Sequence, residues 1–342
     1  MVPEFALCFR GRLWDELSAT GVELHDMGAV KFSRPWTVIR ARMRLRSLLK
    51  RNHYDAVVCH ACWPHAVFGS TVCKSKTMLV GWLHDALNGK HWLDKAAGKV
   101  GANLLIANSN YTASCSKIVF RDVPTKTVYL PVEETSLLDS SIDRDQVRRE
   151  FTTSNEDVVI LQASRLERWK GQHVLIHALG TLTGLTGWTA WIAGGPQRKL
   201  DTEYLKELKE LAEIVGIEDR VRFVGQRSDI RTLMTASDIY CQPNTSPEPF
   251  GVAFIEALYA GLPIVTSKIG GGAEIVDDRC GLLTSLGNVA EVSKSLRMLI
   301  EDSELRKSMS RNGPARALSL FDPSISMQRI NEVIVACTAA PV

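Results

Sequence analysis

Residues 246–256 read Ser-Pro-Glu-Pro-Phe-Gly-Val-Ala-Phe-Ile-Glu and place two carboxylates, Glu248 and Glu256, eight positions apart. Two prolines favour a loop around the first carboxylate, and the apolar run after it favours a helix that ends near a glycine. We therefore predict that Glu248 lies on a loop, that Phe250 and Gly251 begin a helix, and that Glu256 lies about two turns inside it.

This segment has chemistry that suits a ligand with hydroxyls at both ends and phosphate between them. The first turn of a helix has free N–H groups and a positive dipole end, which favour an anion. A carboxylate accepts hydrogen bonds from two hydroxyls at once. A nucleotide-sugar is such a ligand. The alternative, a solvated loop glutamate and a surface helix glutamate, stays open on these residues alone.

A second segment places cations at a strand end. Residues 157–163 form a short apolar run typical of a buried parallel strand, and a helical pattern begins after residue 171. Arg165 and Lys170 lie between them. Open α/β sheets bind ligands at the carboxyl ends of their strands, and an arginine fork with a lysine charge suits a diphosphate. The alternative is that both cations are solvated loop residues.

A third loop, residues 267–274, again follows a strand and opens a helix. It contains three consecutive glycines, which let backbone N–H groups approach a phosphate closely. A glycine triplet alone is weak evidence. Three strand-to-helix junctions with phosphate-suited chemistry together favour a nucleotide-sugar site.

Residues 157–285 resemble the donor-binding domain of the family-4 retaining glycosyltransferases, and weaker matches extend over nearly the whole chain. The resemblance implies an α/β chain of the GT-B fold, with two Rossmann-like domains whose parallel sheets face a central cleft. The matching pieces agree in order and spacing: Arg165-Leu166 with Lys170-Gly171, residues 191–196, 221–225 and 236–240, Glu248 with Glu256, and residues 261–265.

The resemblance also implies side-chain roles. Arg165 and Lys170 would neutralise the donor's diphosphate and the charge that grows on the leaving group. Glu248 would hold hydroxyls of the transferred sugar, and Glu256 would hold the ribose hydroxyls.

Backbone contacts follow from the same resemblance. Gly194 and Gly195 would let the chain pass close to the nucleotide. The Phe250-Gly251 backbone would lie beside the sugar. The glycine loop itself, apart from the resemblance, predicts that Gly270 and Gly271 approach the phosphates.

The N-terminal half has short apolar strands at residues 55–58, 78–82 and 103–107, which indicate a second parallel α/β domain. His84 follows the second strand, and the resemblance makes it the candidate in this half for contact with the sugar or the reaction centre. The alternative is a hydrogen-bonded structural histidine.

The predicted organisation is an acceptor-side domain at 1–135, a donor-binding domain at 136–320 and a C-terminal helix at 321–342 that crosses back to the first domain. Family members usually open with a strand and a glycine-rich loop. The start of this chain instead resembles the family's second structural unit, so we expect an N-terminal domain that is incomplete at its start.

Composition agrees with a globular protein of the cytoplasm. The 342 residues are 45% hydrophobic and 23% charged, and no apolar run approaches the length of a membrane span. Eight scattered cysteines do not form a disulfide framework. Cys59 and Cys62 resemble half a zinc site without a second pair, so we interpret them as structural. No metal is expected, because two cations and helix dipoles can cover the diphosphate charge.

Charge is unevenly distributed. Residues 1–133 hold 18 Lys or Arg against 10 Asp or Glu, and the remaining residues hold 23 against 28. Residues 36–51 contain six cations among apolar residues, which suits a basic amphipathic helix on the anionic inner face of a membrane. The alternative is a helix docked on its domain with its cations in water. Nucleic acid is not expected, because no base-reading module accompanies the basic run.

These observations predict a hexosyltransferase. It would move a hexose-type sugar from a nucleoside diphosphate donor to a glycan or lipid-linked glycan, and by resemblance would retain the anomeric configuration. Two alternatives stay open: a non-catalytic nucleotide-sugar binding or scaffold protein, and a sugar-nucleotide 2-epimerase.

Overall fold

The computed structural model describes residues 2–134 and 143–339. The chain forms two compact units, one of Met1–Val128 with Met327–Val342 and one of Tyr129–Ser326. The predicted boundary at residues 135–136 lies outside the described residues.

The first unit contains short parallel strands separated by helices. Its strands form two sheets, β1-β2 and β3-β4-β5-β6, in which every pairing is parallel. The three strands expected from the sequence are β3, β4 and β5. The elements are β1 Phe5–Leu7, α1 Arg12–Ala19, β2 Leu24–Asp26, α2 Pro35–Arg51, β3 Ala56–His60, α3 Cys62–Lys74, β4 Met78–Leu83, α4 Trp92–Val100, β5 Leu104–Ala107, α5 Asn110–Ser116 and β6 Thr125–Thr127.

The second unit is a six-stranded parallel sheet with connecting helices, and its last helix, α14, continues into residues of the first unit. A 3-10 turn, Arg168–Lys170, precedes α7. The elements are α6 Arg144–Glu150, β7 Val158–Ala163, α7 Gln172–Gly180, β8 Trp188–Ala193, α8 Lys199–Ile214, β9 Val221–Gly225, α9 Ile230–Thr235, β10 Ile239–Gln242, α10 Val252–Tyr259, β11 Ile264–Ser267, α11 Gly272–Ile275, β12 Gly281–Thr284, α12 Val289–Glu301, α13 Ser303–Phe321 and α14 Pro323–Ala339.

The strand order of this second sheet is β12-β11-β10-β7-β8-β9. The chain builds outward from β7 through β8 to β9 and then crosses to the other side of β7 to add β10. This reversal is a topological switch point, at which the loops after two neighbouring strands separate and leave a crevice. The fold therefore predicts that a ligand of this unit lies at the carboxyl ends of β7 and β10.

The central strand β7 is buried on both faces. Val158 and Ile160 pack in a cluster on one side of the sheet with Leu175 of α7. Val159 and Leu161 pack in a second cluster on the other side. This explains why residues 157–163 read as a continuous apolar run rather than an alternating one.

A buried ion pair joins the amino-terminal ends of β7 and β10. Arg148, which is 1% exposed, places Nη2 2.6 Å from Asp238 Oδ2. The same oxygen accepts a 2.7 Å hydrogen bond from the backbone N–H of Val159. The guanidinium also donates to the carbonyls of Ala236 and Asp157, so the buried charge is fully engaged.

Candidate functional site

The loops after β7 and β10 touch at the switch point. Gly171 has φ +77, and a Cβ there would lie 1.9 Å from the carbonyl oxygen of Pro243. The backbone N–H of Thr245 donates to the carbonyl of Trp169 at 2.8 Å. Only glycine fits at position 171, because any side chain would separate the two loops.

This contact brings Lys170 and Glu248 together. Lys170 Nζ lies 2.5 Å from Glu248 Oε2, and the two side chains are 12% and 10% exposed. The ammonium also lies 4.1 Å from the ring centroid of Trp169, a cation–π contact. Lys170 and Glu248 therefore form one nearly buried ion pair in the free protein. The sequence predicts that the first binds diphosphate and that the second binds sugar hydroxyls.

The Glu248 carboxylate is held from one side. Gln242 Nε2 and Asn244 Nδ2 donate to Oε2 at 3.2 and 3.4 Å, and Lys170 binds the same oxygen. Among the described residues, every recorded hydrogen bond of this side chain ends on Oε2. The second oxygen, Oε1, can therefore accept a hydrogen bond from a ligand while three donors fix the carboxylate.

Arg165 lies just after β7 with its side chain 62% exposed, and its Nη1 is 3.0 Å from Glu167 Oε1. Arg198 Nη2 lies 3.5 Å from the same oxygen, and Trp169 Nε1 donates to Glu167 Oε2 at 2.8 Å. The Glu167 side chain is 15% exposed, but it keeps Arg198 and Trp169 as partners, so the exposed guanidinium of Arg165 can turn toward an anion at small cost. Glu167 thus links Arg165 to the Trp169-Lys170 turn.

Glu256 lies just over one turn inside α10 rather than two, because the helix begins only at Val252. Burial raises the pKa of this carboxyl, and the charge of Arg231 partly opposes the increase. Burial, then the charges of Glu248 and Glu256, raise the pKa of Tyr240. The charges of Glu248 and Glu256 thus both reach the buried hydroxyl of Tyr240.

Phe250 and Gly251 lie just before α10 rather than in its first turn, because the helix begins at Val252. The Phe250 side chain is 4% exposed and packs 5.7 Å from the ring of Phe321, so only its backbone can reach a ligand. Gly251 has φ +101, a left-handed conformation that favours glycine. The N–H of Phe254 donates to the Gly251 carbonyl at 3.0 Å, and the N–H groups of Val252 and Ala253 at the start of the helix can bind an anion.

The predicted glycines lie against protein backbone. Gly270 pairs with Glu248 in an isolated bridge, and a Cβ on Gly270 would lie 2.4 Å from the carbonyl oxygen of Glu248. The backbone N–H of Gly271 donates to the same oxygen at 2.7 Å. A Cβ on Gly194 would lie 2.3 Å from Ser164 O, and one on Gly195 would lie 2.6 Å from a neighbouring side chain. These glycines hold the loops together, and their contact with a nucleotide stays a prediction.

His84 belongs to the first unit, where it follows β4. Its Nε2 lies 3.0 Å from His60 Nδ1, and the two rings stack at 5.3 Å. Burial lowers the pKa of His60 to about 4 and also lowers the pKa of His84. Asn108 Nδ2 donates to the His84 carbonyl at 3.0 Å. At neutral pH the rings are therefore uncharged, and one donates a hydrogen bond to the other.

The two cysteines that resembled half a zinc site are buried thiols. Burial raises the pKa of both Cys59 and Cys62 to about 12. Such thiols stay protonated and unreactive, which agrees with their interpretation as structural.

Sequence reasoning missed several residues that build the site. Gln242 ends a buried strand and is 2% exposed, and Glu167 gathers Arg165, Arg198 and Trp169. Gln242 could have been predicted as a site residue, because it is a polar residue at the end of an otherwise apolar strand. His60 ends β3 in the same way.

The family model described as glycosyl transferases group 1 matches residues 143–316. Among curated relatives, the chain is 28% identical over 175 residues to the lipopolysaccharide core biosynthesis glycosyltransferase LpsE of Rhizobium meliloti, which covers 51% of this chain and 48% of LpsE. It is 26% identical over 297 residues to an uncharacterised glycosyltransferase of Haemophilus influenzae, which covers 84% of this chain and 79% of that protein. The chain thus spans about half the length of LpsE.

Solved structures extend the similarity. HepE of Anabaena in complex with UDP-glucose superposes with a TM-score of 0.82 at 27% identity, over 97% of this chain and 91% of HepE. HepE with UDP superposes with a TM-score of 0.85. This coverage does not support the expected truncation of the N-terminal domain. The expected truncation rested on the order of elements at the start of the chain, which is a weaker guide than a structural match over 97% of the chain. The predicted fold is confirmed: the chain belongs to the glycosyl transferases group 1 family and has the GT-B fold with parallel sheets.

Proposed function

We propose that this protein transfers a hexose-type sugar from a nucleoside diphosphate donor to a hydroxyl of a glycan or lipid-linked glycan, with retention of anomeric configuration. The observation that carries the proposal is the Lys170–Glu248 pair at the switch point, with Arg165 at the end of β7. It supplies two cations for a diphosphate and a fixed carboxylate for sugar hydroxyls.

The cations stabilise the leaving group. As the bond between the sugar and the diphosphate breaks, negative charge grows on the leaving phosphate oxygen. Lys170 has two ammonium protons beyond the one given to Glu248, and Arg165 can leave its exposed pair with Glu167. Free N–H groups of the first turn of α10 add to this, and groups already in place at the transition state lower the barrier most.

The carboxylates fix the two ends of the donor. Glu248 Oε1 accepts from hydroxyls of the transferred sugar, and Glu256 accepts from the ribose. The burial that raises the pKa of Glu256 also strengthens the hydrogen bonds that this carboxylate makes to a ligand. His84 remains the candidate of the first unit for contact with the sugar, and its Nε2 lies 3.0 Å from His60 Nδ1.

The relatives suggest the first substrates to test. HepE was crystallised with UDP-glucose, and LpsE is named for lipopolysaccharide core biosynthesis. UDP-glucose is therefore the first donor, and a lipopolysaccharide core glycan is the first acceptor class.

Incubation with radiolabelled nucleoside diphosphate sugars, with and without a core glycan, tests the proposal. We expect nucleoside diphosphate release that Arg165→Ala and Glu248→Ala each reduce by roughly tenfold to a hundredfold. Lys294→Ala, on an exposed face of α12, is the matched control and should leave release unchanged. Unchanged release in both site variants would refute the site.

The same assay separates the alternatives. Sugar isomerisation without release of nucleoside diphosphate would indicate a 2-epimerase. Tight donor binding with no chemistry for any donor would indicate a binding or scaffold protein. The proton coupling constant at the product's anomeric centre, measured by NMR, shows whether the configuration is retained.

A further inference from the structure

Helix α2 of the first unit presents a row of large apolar side chains to solvent. Trp36, Ile39 and Met43 are 64%, 56% and 60% exposed. Their spacing of three and four residues puts them on one stripe of the helix. Large apolar side chains aligned in this way indicate an interaction surface rather than scattered exposure.

The opposite face of α2 is anchored in the first unit. Val38, Ala41 and Leu45 are buried in a hydrophobic cluster. Arg42 donates from Nε to the carbonyl of Val67 at 2.6 Å. The helix is therefore docked on its unit, as one of the two alternatives predicts, and it still exposes an apolar stripe, which that alternative does not explain.

Cations flank the stripe on both sides. Arg40 and Arg51 lie on one flank and Arg46 lies on the other, while Lys50 continues the line of the stripe two turns beyond Met43, and all four are exposed. No acidic residue occurs between positions 35 and 51. An apolar stripe bordered by cations on a helix without acids is the pattern of a helix that lies in an anionic bilayer surface.

A groove beside the helix extends the cationic surface. It has a volume of about 590 Å³ and lies between β2 and α2, with Arg40, Arg44 and Arg51 in its lining. Arg44 donates from Nη1 to the backbone carbonyl of Asp26 at 3.2 Å. The Asp26 carboxylate is paired with Arg10 at 2.9 Å, so its charge is already neutralised and the groove favours anions.

We propose that α2 docks the first unit on a bilayer of anionic phospholipid. Trp36, Ile39 and Met43 enter the boundary between headgroups and acyl chains, and the flanking arginines bind headgroup phosphates. The charge pattern selects this partner, because a nucleic acid would engage the cations and leave the apolar stripe in water. Among the helices of residues 2–134 and 143–339, none has the length and hydropathy of a membrane span.

Sedimentation of the full chain with vesicles tests the proposal. We expect binding to vesicles of phosphatidylcholine with phosphatidylglycerol, weakening with salt, and no binding to phosphatidylcholine alone. Each cation at the surface contributes about fivefold in affinity, so Arg40→Glu with Arg46→Glu should weaken binding by at least about twenty-five-fold. Lys294→Glu with Arg311→Glu changes the net charge equally on exposed helix faces of the second unit and should change binding less than about threefold. An equal loss in this control would overturn the proposal.

Lipids brominated on their acyl chains report insertion. They should quench part of the tryptophan fluorescence, and Trp36→Phe should remove that quenching while binding persists. Trp36→Ser with Met43→Ser should weaken binding about tenfold or more without changing the circular dichroism spectrum, since both side chains are exposed. No sedimentation with anionic vesicles at low salt would refute the proposal, as would binding to RNA that competes fully with vesicles. Glu248→Gln should bind vesicles normally, so this result is independent of the proposed donor site.

Discussion

The Lys170–Glu248 pair makes a prediction in which stability and ligand binding change in opposite ways. The side chains are 12% and 10% exposed, so the pair lies close to the buried limit. Removing one partner of a buried pair costs about 3–5 kcal/mol, because the other charge loses its compensation. Lys170 keeps its contact with Trp169 and can extend toward water, so we expect Glu248→Gln to cost about 2 kcal/mol.

Lys170→Met should cost more than Glu248→Gln. It leaves the Glu248 carboxylate with only the two amide donors of Gln242 and Asn244, at 3.2 and 3.4 Å. We expect a cost of about 3 kcal/mol in the free energy of unfolding. For a unit of this size that is a decrease in Tm of roughly 6–12 °C. Denaturant unfolding followed by tryptophan fluorescence measures both variants, and the double variant completes a thermodynamic cycle.

Calorimetric titration with UDP, the ligand of the similar HepE structure, separates the two variants: both stability and UDP affinity should decrease in Lys170→Met, whereas in Glu248→Gln stability should decrease while UDP affinity does not. Lys170→Met should weaken UDP binding by about tenfold or more, because a charge-assisted hydrogen bond to phosphate is lost. Glu248→Gln should bind UDP at least as tightly as the native chain, because it removes a negative charge beside the diphosphate. Its turnover with a sugar donor should still decrease. Additive stability effects in the cycle, or weaker UDP binding by Glu248→Gln, would refute the reasoning.

Three further perturbations follow from the same structure. Asp238→Asn should lower the free energy of unfolding by about 3 kcal/mol, measured by denaturant unfolding, because the buried guanidinium of Arg148 loses its counter-charge. Burial raises the pKa of Glu256, so the folded state binds more protons and stability decreases as the pH rises through that raised pKa. Glu256→Gln should therefore raise Tm at pH 8 but not at pH 4, and an equal effect at both would contradict the assigned cause. Gly270→Ala should lower both Tm and donor affinity, since its Cβ would lie 2.4 Å from the Glu248 carbonyl, and unchanged values would show that the loops adjust freely.

Local sequence patterns predicted much of the second unit. The apolar run at 157–163 predicted β7, and Gly171, between the 3-10 turn and α7, located the loop that contains Lys170. The start of α10 was less accurate, because Pro249, Phe250 and Gly251 delay the helix to Val252 and leave Glu256 just over one turn inside it. Helix ends depend on cap geometry that propensity does not encode.

Partners distant in sequence could not be predicted. Lys170 and Glu248 are 78 residues apart, and Arg148 and Asp238 are 90 apart. Such pairs form only because β10 inserts beside β7 at the switch point, and that is a property of strand order. Lys170 and Glu248 were each predicted from the sequence as site residues. That they form an ion pair in the free protein could not be predicted.

That neutralisation determines how the site can attract its ligand. Arg165 is paired with Glu167, and Lys170 is paired with Glu248, so the two cations add no net charge to the free site. Attraction for a diphosphate must then come from donors that are already oriented: the first-turn N–H groups of α10, the unused protons of Lys170, and the exposed guanidinium of Arg165. A ligand binds most tightly when it gives each separated group a new partner. Phosphate then contacts the cations, and hydroxyls donate to Glu248. A bare diphosphate satisfies the first requirement and a free sugar the second. An intact nucleotide-sugar satisfies both, so the arrangement favours the whole donor over either of its fragments.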